Sequence, residues 1–258
     1  RAAGARRPAA VLQGHKGAVR ALAADPFGRF FVSGADDGYF RVWGGKCVGG
    51  DASPGRNAKA GDGTVVWDGS ARCEYQKKLS ESEVTALAVT RGSTVAVGCK
   101  SGSFKLIDVH RGSSDVFSAS KTRVLRKEGK GGRNTVSAIK CVGELIIKAT
   151  CGGAITGWDP RQPPESHPAV SIACDPSFGT LQTFAQTPGG SLALAVSTSL
   201  GVVSLYDMRY LLNVAAYRLH PRGSPSSPLS FESLAISDVA ETGRAWLWGA
   251  WEGSEGEV

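Results

Sequence analysis

The sequence has few of the features that mark membrane proteins or enzymes. Its longest apolar stretch, from Ser191 to Tyr206, is interrupted by serines, a threonine and a glycine, which excludes a membrane-spanning helix. The four histidines have no companion serine or cysteine in a nucleophile motif, and there is no glycine-rich phosphate loop, H-R-D or D-F-G motif. Catalysis therefore has little support, and neither a cofactor nor a small-molecule substrate is expected.

Paired cysteines and a secretion signal are also missing. The six cysteines form no C-x-x-C pair, and no histidine lies at zinc-ligand spacing. Several cysteines lie in or beside predicted strands, where a free thiol behaves as a small hydrophobe. We therefore expect no metal and a reducing, cytoplasmic location. The chain begins RAAGARR without methionine or a signal pattern, and we expect it to be a fragment of a longer protein.

Glycine, by contrast, is abundant, with 34 residues among 258, as expected of a chain with many tight turns. The stretch from Leu12 to Trp43 reads as three short strands, AVRALAA, RFFVSGA and YFRVW, with turns at residues 26–28 and 36–38. Each strand is rich in β-branched and aromatic residues and is too short for an ordinary helix. The pattern predicts an antiparallel β-sheet.

Four polar residues in this stretch resemble the hydrogen-bonding set of a WD40 repeat, which is one blade of a β-propeller. In such a blade the His15 imidazole can reach the Asp37 carboxylate, the Ser33 hydroxyl and the Trp43 indole N–H. Leaving any of these groups buried without a partner would cost about 1–3 kcal/mol. We therefore expect His15 to have a structural role.

A fixed spacing repeats this pattern along the chain. A turn glycine precedes the closing residue of a strand by five positions in four places: Gly38 and Trp43, Gly102 and Ile107, Gly153 and Trp158, Gly201 and Tyr206. Two strand-like runs precede each glycine, and a further run follows each closing residue. The repeat predicts an all-β fold, an incomplete WD40 β-propeller of about four to five blades out of an expected seven.

The predicted blades cover residues 12–79, 84–128, 135–176 and 181–220, and a further blade starts at 229–251. Residues 44–63 are rich in turn formers and are interpreted as a flexible loop insertion. The segment TVVWD that follows is not counted as a blade, because its glycine-to-tryptophan spacing is four. Pro8 to Gln13 is expected to be the outer strand of a preceding blade or the closing strand of the ring.

Two successive motifs suggest a particular family. Ala149 to Arg161 and Ser197 to Pro221 contain Trp-Asp-x-Arg and Tyr-Asp-x-Arg, and they resemble the C-terminal propeller of the regulatory, protein-kinase-like subunit of class III phosphatidylinositol 3-kinase. This resemblance implies a non-catalytic scaffold that supports autophagy and endosomal or vacuolar sorting. It also implies a kinase-like domain upstream in the parent protein.

The same resemblance implies the partners and the location. The partners would be the lipid kinase catalytic subunit and coiled-coil subunits of the Beclin type. The protein would be cytoplasmic and peripheral at endosomal and autophagic membranes.

The blade-end motifs themselves allow two interpretations. Their residues are Trp158, Asp159, Arg161, Tyr206, Asp207 and Arg209. Each arginine could pair with the neighbouring aspartate or cap the carbonyls of its blade. Alternatively, W-D-x-R resembles the box by which some propellers dock on the adaptor of a cullin ubiquitin ligase, which makes a substrate receptor of such a ligase the alternative function.

The net charge of +7 is concentrated in one run, KTRVLRKEGKGGR. Its basic residues are Lys121, Arg123, Arg126, Lys127, Lys130 and Arg133. They could form a solvated blade edge or contact an anionic membrane, where each basic residue would add about 1 kcal/mol. Nucleic acid is not expected as a partner, because aromatic residues are not interleaved with this run.

Overall fold

The computed structural model describes residues 11–44, 47–48, 66–67, 71–79, 82–111, 117–126, 132–163, 167–186, 193–219, 231–236 and 247–251. Within these ranges the regular structure is β-strand apart from two 3-10 turns, Gly132–Asn134 and Pro176–Phe178. The predicted all-β fold is therefore confirmed. No helix among the described residues has the length and apolar character needed to cross a membrane.

Twenty strands follow one another within the described residues. They are β1 Val19–Ala24, β2 Phe30–Ala35, β3 Tyr39–Gly44, β4 Cys47–Val48, β5 Val66–Trp67, β6 Arg72–Lys78, β7 Val84–Val89, β8 Thr94–Cys99, β9 Phe104–Arg111, β10 Phe117–Arg126, β11 Val136–Val142, β12 Leu145–Thr150, β13 Ala154–Trp158, β14 Val170–Ala173, β15 Leu181–Gln186, β16 Ala193–Thr198, β17 Val202–Asp207, β18 Leu212–Arg218, β19 Phe231–Ile236 and β20 Leu247–Trp251.

These strands form four antiparallel sheets of four strands, each a meander in chain order. The sheets are β1-β2-β3-β6, β7-β8-β9-β10, β11-β12-β13-β14 and β15-β16-β17-β18, and β19 pairs with β20 as the start of a further sheet. The first strands of neighbouring sheets lie side by side, β1 against β7, β7 against β11, β11 against β15 and β15 against β19. Each four-stranded sheet is thus one blade, and its first strand is the innermost.

The turn between the second and third strand of each blade explains the fixed spacing in the sequence. Gly38, Gly102, Gly153 and Gly201 have φ angles of 74°, 83°, 89° and 70°, a left-handed conformation that favours glycine. Each donates its backbone N–H to the carbonyl three residues earlier, at 2.9–3.1 Å. The glycine therefore sets where the third strand begins, and the closing residue follows from the strand length.

Neighbouring blades pack through a valine that occupies the space beside a glycine. A Cβ atom placed on Gly34 would lie 2.3 Å from the Cγ1 of Val84, and one placed on Gly98 would lie 2.4 Å from the Cγ1 of Val136. Val84 and Val136 each begin the first strand of the next blade and are fully buried. The absence of a side chain in one blade thus makes room for the core of the next.

Large apolar residues of the first strands complete the contacts between blades. Leu87, Ile139, Phe184 and Leu234 hold the same position in β7, β11, β15 and β19, and each is at most 7% exposed. The equivalent residue of β1, Leu22, is 68% exposed, because no described sheet packs against that side of the first blade.

The ends of the predicted loop insertion differ from the prediction. Gly44 belongs to β3, and Cys47 and Val48 pair with Trp67 and Val66 in a two-stranded ladder between the third and fourth strands of the first blade. Val66 and Trp67 have high β-propensity, which explains why TVVWD is strand-like without forming a blade. Residues 11–13 of the predicted Pro8–Gln13 strand are not in a strand, and residues 8–10 lie outside the described ranges.

We predict that Gly34→Ala lowers the free energy of unfolding by about 1–3 kcal/mol, because the new methyl group overlaps Val84. The loss should be measured by urea unfolding. Gly34→Ala should cost less in a Val84→Ala background than in the wild type, because the overlapping Cγ1 is gone. Gly132→Ala is the control, since no atom lies within 4 Å of the added Cβ. Equal stability of Gly34→Ala and the control would contradict this account of blade packing.

Candidate protein-interaction surface

The first blade brings together the four polar residues predicted from the sequence. The Trp43 indole N–H donates to the Ser33 hydroxyl at 2.8 Å, and Ser33 Oγ lies 2.6 Å from His15 Nε2. His15 Nδ1 lies 3.1 Å from Asp37 Oδ2. Since the serine accepts from tryptophan, its own proton goes to Nε2, and the histidine proton on Nδ1 goes to aspartate. The chain of hydrogen bonds leaves no group in this set unpaired.

Asp37 also fixes the backbone around it. Burial raises the pKa of its carboxyl, but hydrogen bonds from the backbone N–H groups of Lys16 and Tyr39 and from His15 outweigh burial and lower the pKa below its ordinary value. The carboxylate thus ties the segment before β1 to the turn between β2 and β3. Both ring nitrogens of His15 are therefore engaged within the first blade.

We predict that His15→Ala lowers the free energy of unfolding by about 1–3 kcal/mol, because Ser33 and Asp37 both lose a buried partner. Thermal unfolding of the full chain measures the effect. His167→Ala removes an exposed histidine and should change stability by no more than about 0.5 kcal/mol. If both variants unfold at the wild-type midpoint, the network contributes nothing to stability.

The two Asp-x-Arg motifs form identical clamps at the ends of β13 and β17. Arg161 donates its backbone N–H to Asp159 Oδ1 at 2.9 Å, its Nε to the same oxygen at 3.0 Å and an Nη2 hydrogen to Oδ2 at 2.9 Å. Arg209 repeats these three bonds to Asp207 at 2.8, 3.1 and 2.6 Å. The geometry shows each arginine paired with the neighbouring aspartate, and docking on the adaptor of a ubiquitin ligase stays a prediction.

The aromatic residues of the same motifs belong to the core. Trp158 and Tyr206 are almost fully buried, and the Trp158 indole N–H donates to Thr156 Oγ1 at 3.3 Å. Burial raises the pKa of the Tyr206 hydroxyl well above its ordinary value. Within each motif, the aromatic ring therefore anchors the strand and only the arginine extends into solvent.

Sequence reasoning missed a third clamped arginine, in the turn between β1 and β2. Arg29 donates to Asp25 Oδ2 and Oδ1 at 2.8 and 2.7 Å and reaches across to Ser93 Oγ of the next blade at 2.6 Å. Its guanidinium lies 5.1 Å from the Phe27 ring centroid, as that of Arg209 lies 5.5 Å from Tyr210. The signal in the sequence that could have predicted this pair is an aspartate shortly before an arginine in a turn.

These arginines lie at one end of the blades, which we call the arginine-turn face. It is defined by Phe27, Arg29, Arg161, Arg209 and Tyr210. In a meander the turns after the first and third strands are at the same end of the sheet. A cleft of about 380 Å³ confirms this between the second and third blades, where Thr90–Gly92 lie beside Pro160 and Arg161. Arginine and aromatic residues fixed in place and exposed are typical of protein-binding surfaces.

We predict that the Asp207 carboxyl titrates with a pKa of about 2, because Arg209 holds it in the ionised form. The folded-state pKa lies below the ordinary value of 3.8, so the pair stabilises the fold above about pH 4 and loses its effect as the pH falls through about 2. Carbon-detected NMR would follow the titration. Arg209→Gln should return the pKa toward 3.8, whereas Arg161→Gln, in another blade, should leave it unchanged. A midpoint near pH 4 in the wild type would contradict the clamp.

The predicted basic run is only partly described. Lys121, Arg123 and Arg126 lie on β10, the outer strand of the second blade, and Arg133 is exposed in a 3-10 turn. Lys127 and Lys130 lie outside the described residues. A contact between this run and an anionic surface therefore stays a prediction.

Comparison with known proteins agrees with this architecture. Residues 6–44 match the WD domain, G-beta repeat family. The described blades form part of a WD40 β-propeller. Such propellers are protein-interaction domains and are generally non-catalytic.

Several curated proteins named Ribosome biogenesis protein Erb1 are similar to parts of this chain. The protein from Emericella nidulans is 60% identical over 35 residues, 14% of this chain and 4% of the relative. That from Yarrowia lipolytica is 54% identical over 37 residues, with the same shares. That from Pyrenophora tritici-repentis is 32% identical over 117 residues, 44% of this chain and 12% of the relative. The chain thus spans only 4–12% of the length of these relatives.

The resemblance to the regulatory subunit of class III phosphatidylinositol 3-kinase is wrong, because the matching relatives carry a different name. The predicted location at endosomal and autophagic membranes depended on this resemblance, and it is wrong for the same reason. The error has a physical cause: Asp-x-Arg at the end of a third strand encodes a clamped turn that two different blades form identically. The motif therefore reports blade geometry and does not identify a partner.

Proposed function

We propose that this chain is a WD40 protein-interaction platform that acts in ribosome biogenesis. The similarity to Ribosome biogenesis protein Erb1 of Pyrenophora tritici-repentis, which extends over 117 residues, carries the proposal. That match is about three times as long as the stretch that fits the repeat model, residues 6–44. The similarity is therefore not limited to one generic blade.

The arginine-turn face is the surface that suits this role best. Arg161 and Arg209 are well exposed, and their side chains are held by Asp159 and Asp207. A side chain that is already fixed loses little conformational entropy when a partner binds. Because each charge is balanced by its aspartate, the face favours protein groups that accept hydrogen bonds over a strongly anionic polymer.

The proposal predicts association with precursor ribosomal particles. The full-length protein, carrying an epitope tag, would be expressed in its host and separated on a sucrose gradient, with ribosomal RNA precursors measured after depletion. We expect co-sedimentation with precursor particles and accumulation of unprocessed RNA.

Arg161→Glu/Arg209→Glu tests the surface. Arg20→Glu is the matched control, because Arg20 is an exposed arginine clamped by Asp36 at the turn between β2 and β3, the opposite end of the first blade. The double variant should reduce co-sedimentation because reversed charges repel the acceptor groups of the partner. Tagged wild-type protein that stays at the top of the gradient, together with normal RNA processing after depletion, would refute the proposed function.

A further inference from the structure

The outer strands of the blades differ sharply in how they avoid pairing with other chains. β6 carries Arg72, Lys77 and Lys78, β10 carries Lys121, Arg123 and Arg126, and β14 has only four residues. Charge and shortness are the usual means by which an edge strand is kept from pairing. β18 has neither: it is seven residues long, LNVAAYR, and Arg218 is its one charged residue.

Large apolar side chains of β18 are open to solvent. Leu212, Val214 and Tyr217 are 64%, 70% and 56% exposed, and Leu219 and Tyr210 at the two ends are exposed as well. We call this stretch, Leu212 to Leu219, the β18 edge. Large apolar side chains concentrated on one strand mark an interaction site more often than scattered ones do.

The backbone of the β18 edge has a row of groups directed away from its own sheet. Leu219 donates its N–H to the Gly201 carbonyl at 2.8 Å, so it faces β17. Residues of an antiparallel strand alternate between facing one neighbour and facing the other, and the register Ser204 with Ala216 is regular here. The N–H and C=O of Ala216 and Arg218 therefore face outward, and among the described strands β18 is the last of its sheet.

Charge indicates which kind of strand would pair with this edge. No aspartate or glutamate occurs from Met208 to Leu219. Arg218 is exposed near one end of the β18 edge, whereas Arg209, before the other end, is balanced by Asp207. A segment with acidic residues would thus meet positive charge and no repulsion, and its apolar residues would cover Leu212, Val214 and Tyr217.

We propose that the β18 edge binds an extended segment of a partner protein, with alternating apolar and acidic residues, as a fifth strand of the fourth blade. Backbone hydrogen bonds to Ala216 and Arg218 would provide affinity, and the apolar and acidic side chains would provide selectivity. The inference rests on the protein-interaction part of the proposed function and is independent of ribosome biogenesis, because purified protein can be tested apart from precursor particles.

The first blade offers a matched control for this edge. Leu79 donates its N–H to Gly38 O at 3.1 Å as Leu219 does to Gly201 O, so Gln76 on β6 is equivalent to Ala216. Proline at an outward-facing edge position removes a hydrogen-bond donor without breaking the sheet. Ala216→Pro should therefore block strand addition, and Gln76→Pro should not affect it.

Binding would be measured with two fluorescent peptides about eight residues long, the length of an ordinary strand. One alternates valine with glutamate and the other valine with lysine, and both are titrated against the full chain to about 1 mM. We expect the glutamate peptide to bind at least about tenfold more tightly than the lysine peptide. We expect Ala216→Pro to weaken it at least about tenfold and Gln76→Pro to leave it unchanged.

A second pair of variants tests the proposal even if Ala216→Pro does not fold. Arg218→Glu should weaken the glutamate peptide and strengthen the lysine peptide, whereas Lys78→Glu, at the equivalent position of β6, should change neither. Circular dichroism would verify that each variant is folded.

Three outcomes would overturn the proposal. The first is that the wild type does not bind the glutamate peptide. The second is that a folded Ala216→Pro variant binds this peptide as tightly as the wild type does. The third is that sedimentation shows concentration-dependent dimers of the wild type that Ala216→Pro abolishes. The last would show that the occupant of the edge is a second copy of this chain. If the peptide assays fail but the full-length protein still associates with precursor particles, the binding role of the β18 edge is rejected and the proposed function is not.

Discussion

The close approach between neighbouring blades is the constraint on which the rest of the structure depends. A residue such as Val84 of the second blade can pack into the first blade only because Gly34 there has no side chain. The same arrangement recurs at Gly98 and Val136. Burial of apolar surface in these contacts stabilises the sheets. This packing fixes where each blade lies, since a blade that shifted would lose its contacts with its neighbour.

The features predictable from the sequence are those encoded within one blade. The spacing from Gly38 to Trp43 follows from a left-handed glycine turn and a strand of fixed length, so it can be read without knowing the neighbours. The contacts of His15 are similarly local, because Ser33 and Asp37 lie on the adjacent strand and in the next turn. The closer the partners are in sequence, the more directly the pattern predicts them.

Contacts between blades could not be predicted in this way. The bond from Arg29 to Ser93 joins residues 64 positions apart, and it depends on how far two sheets stand from each other. The ladder of Cys47–Val48 with Val66–Trp67 was missed for another reason, since two-residue strands are too short to show periodicity. The family prediction failed because it relied on motifs such as Asp159 and Arg161, whose geometry recurs at Asp207 and Arg209 in another blade.

That short ladder has a consequence for how the chain can change over time. By pairing the two ends of the insertion, it fixes the distance between them before the chain enters β6. Any residue added between positions 48 and 66 lies between two paired ends, and the entropy cost of holding two ends together grows only slowly with the number of residues between them. New sequence can therefore accumulate there without shifting the register of the first blade. The propeller thus has a position that tolerates insertions, where a peptide motif or a small domain can be added while the first blade keeps its fold.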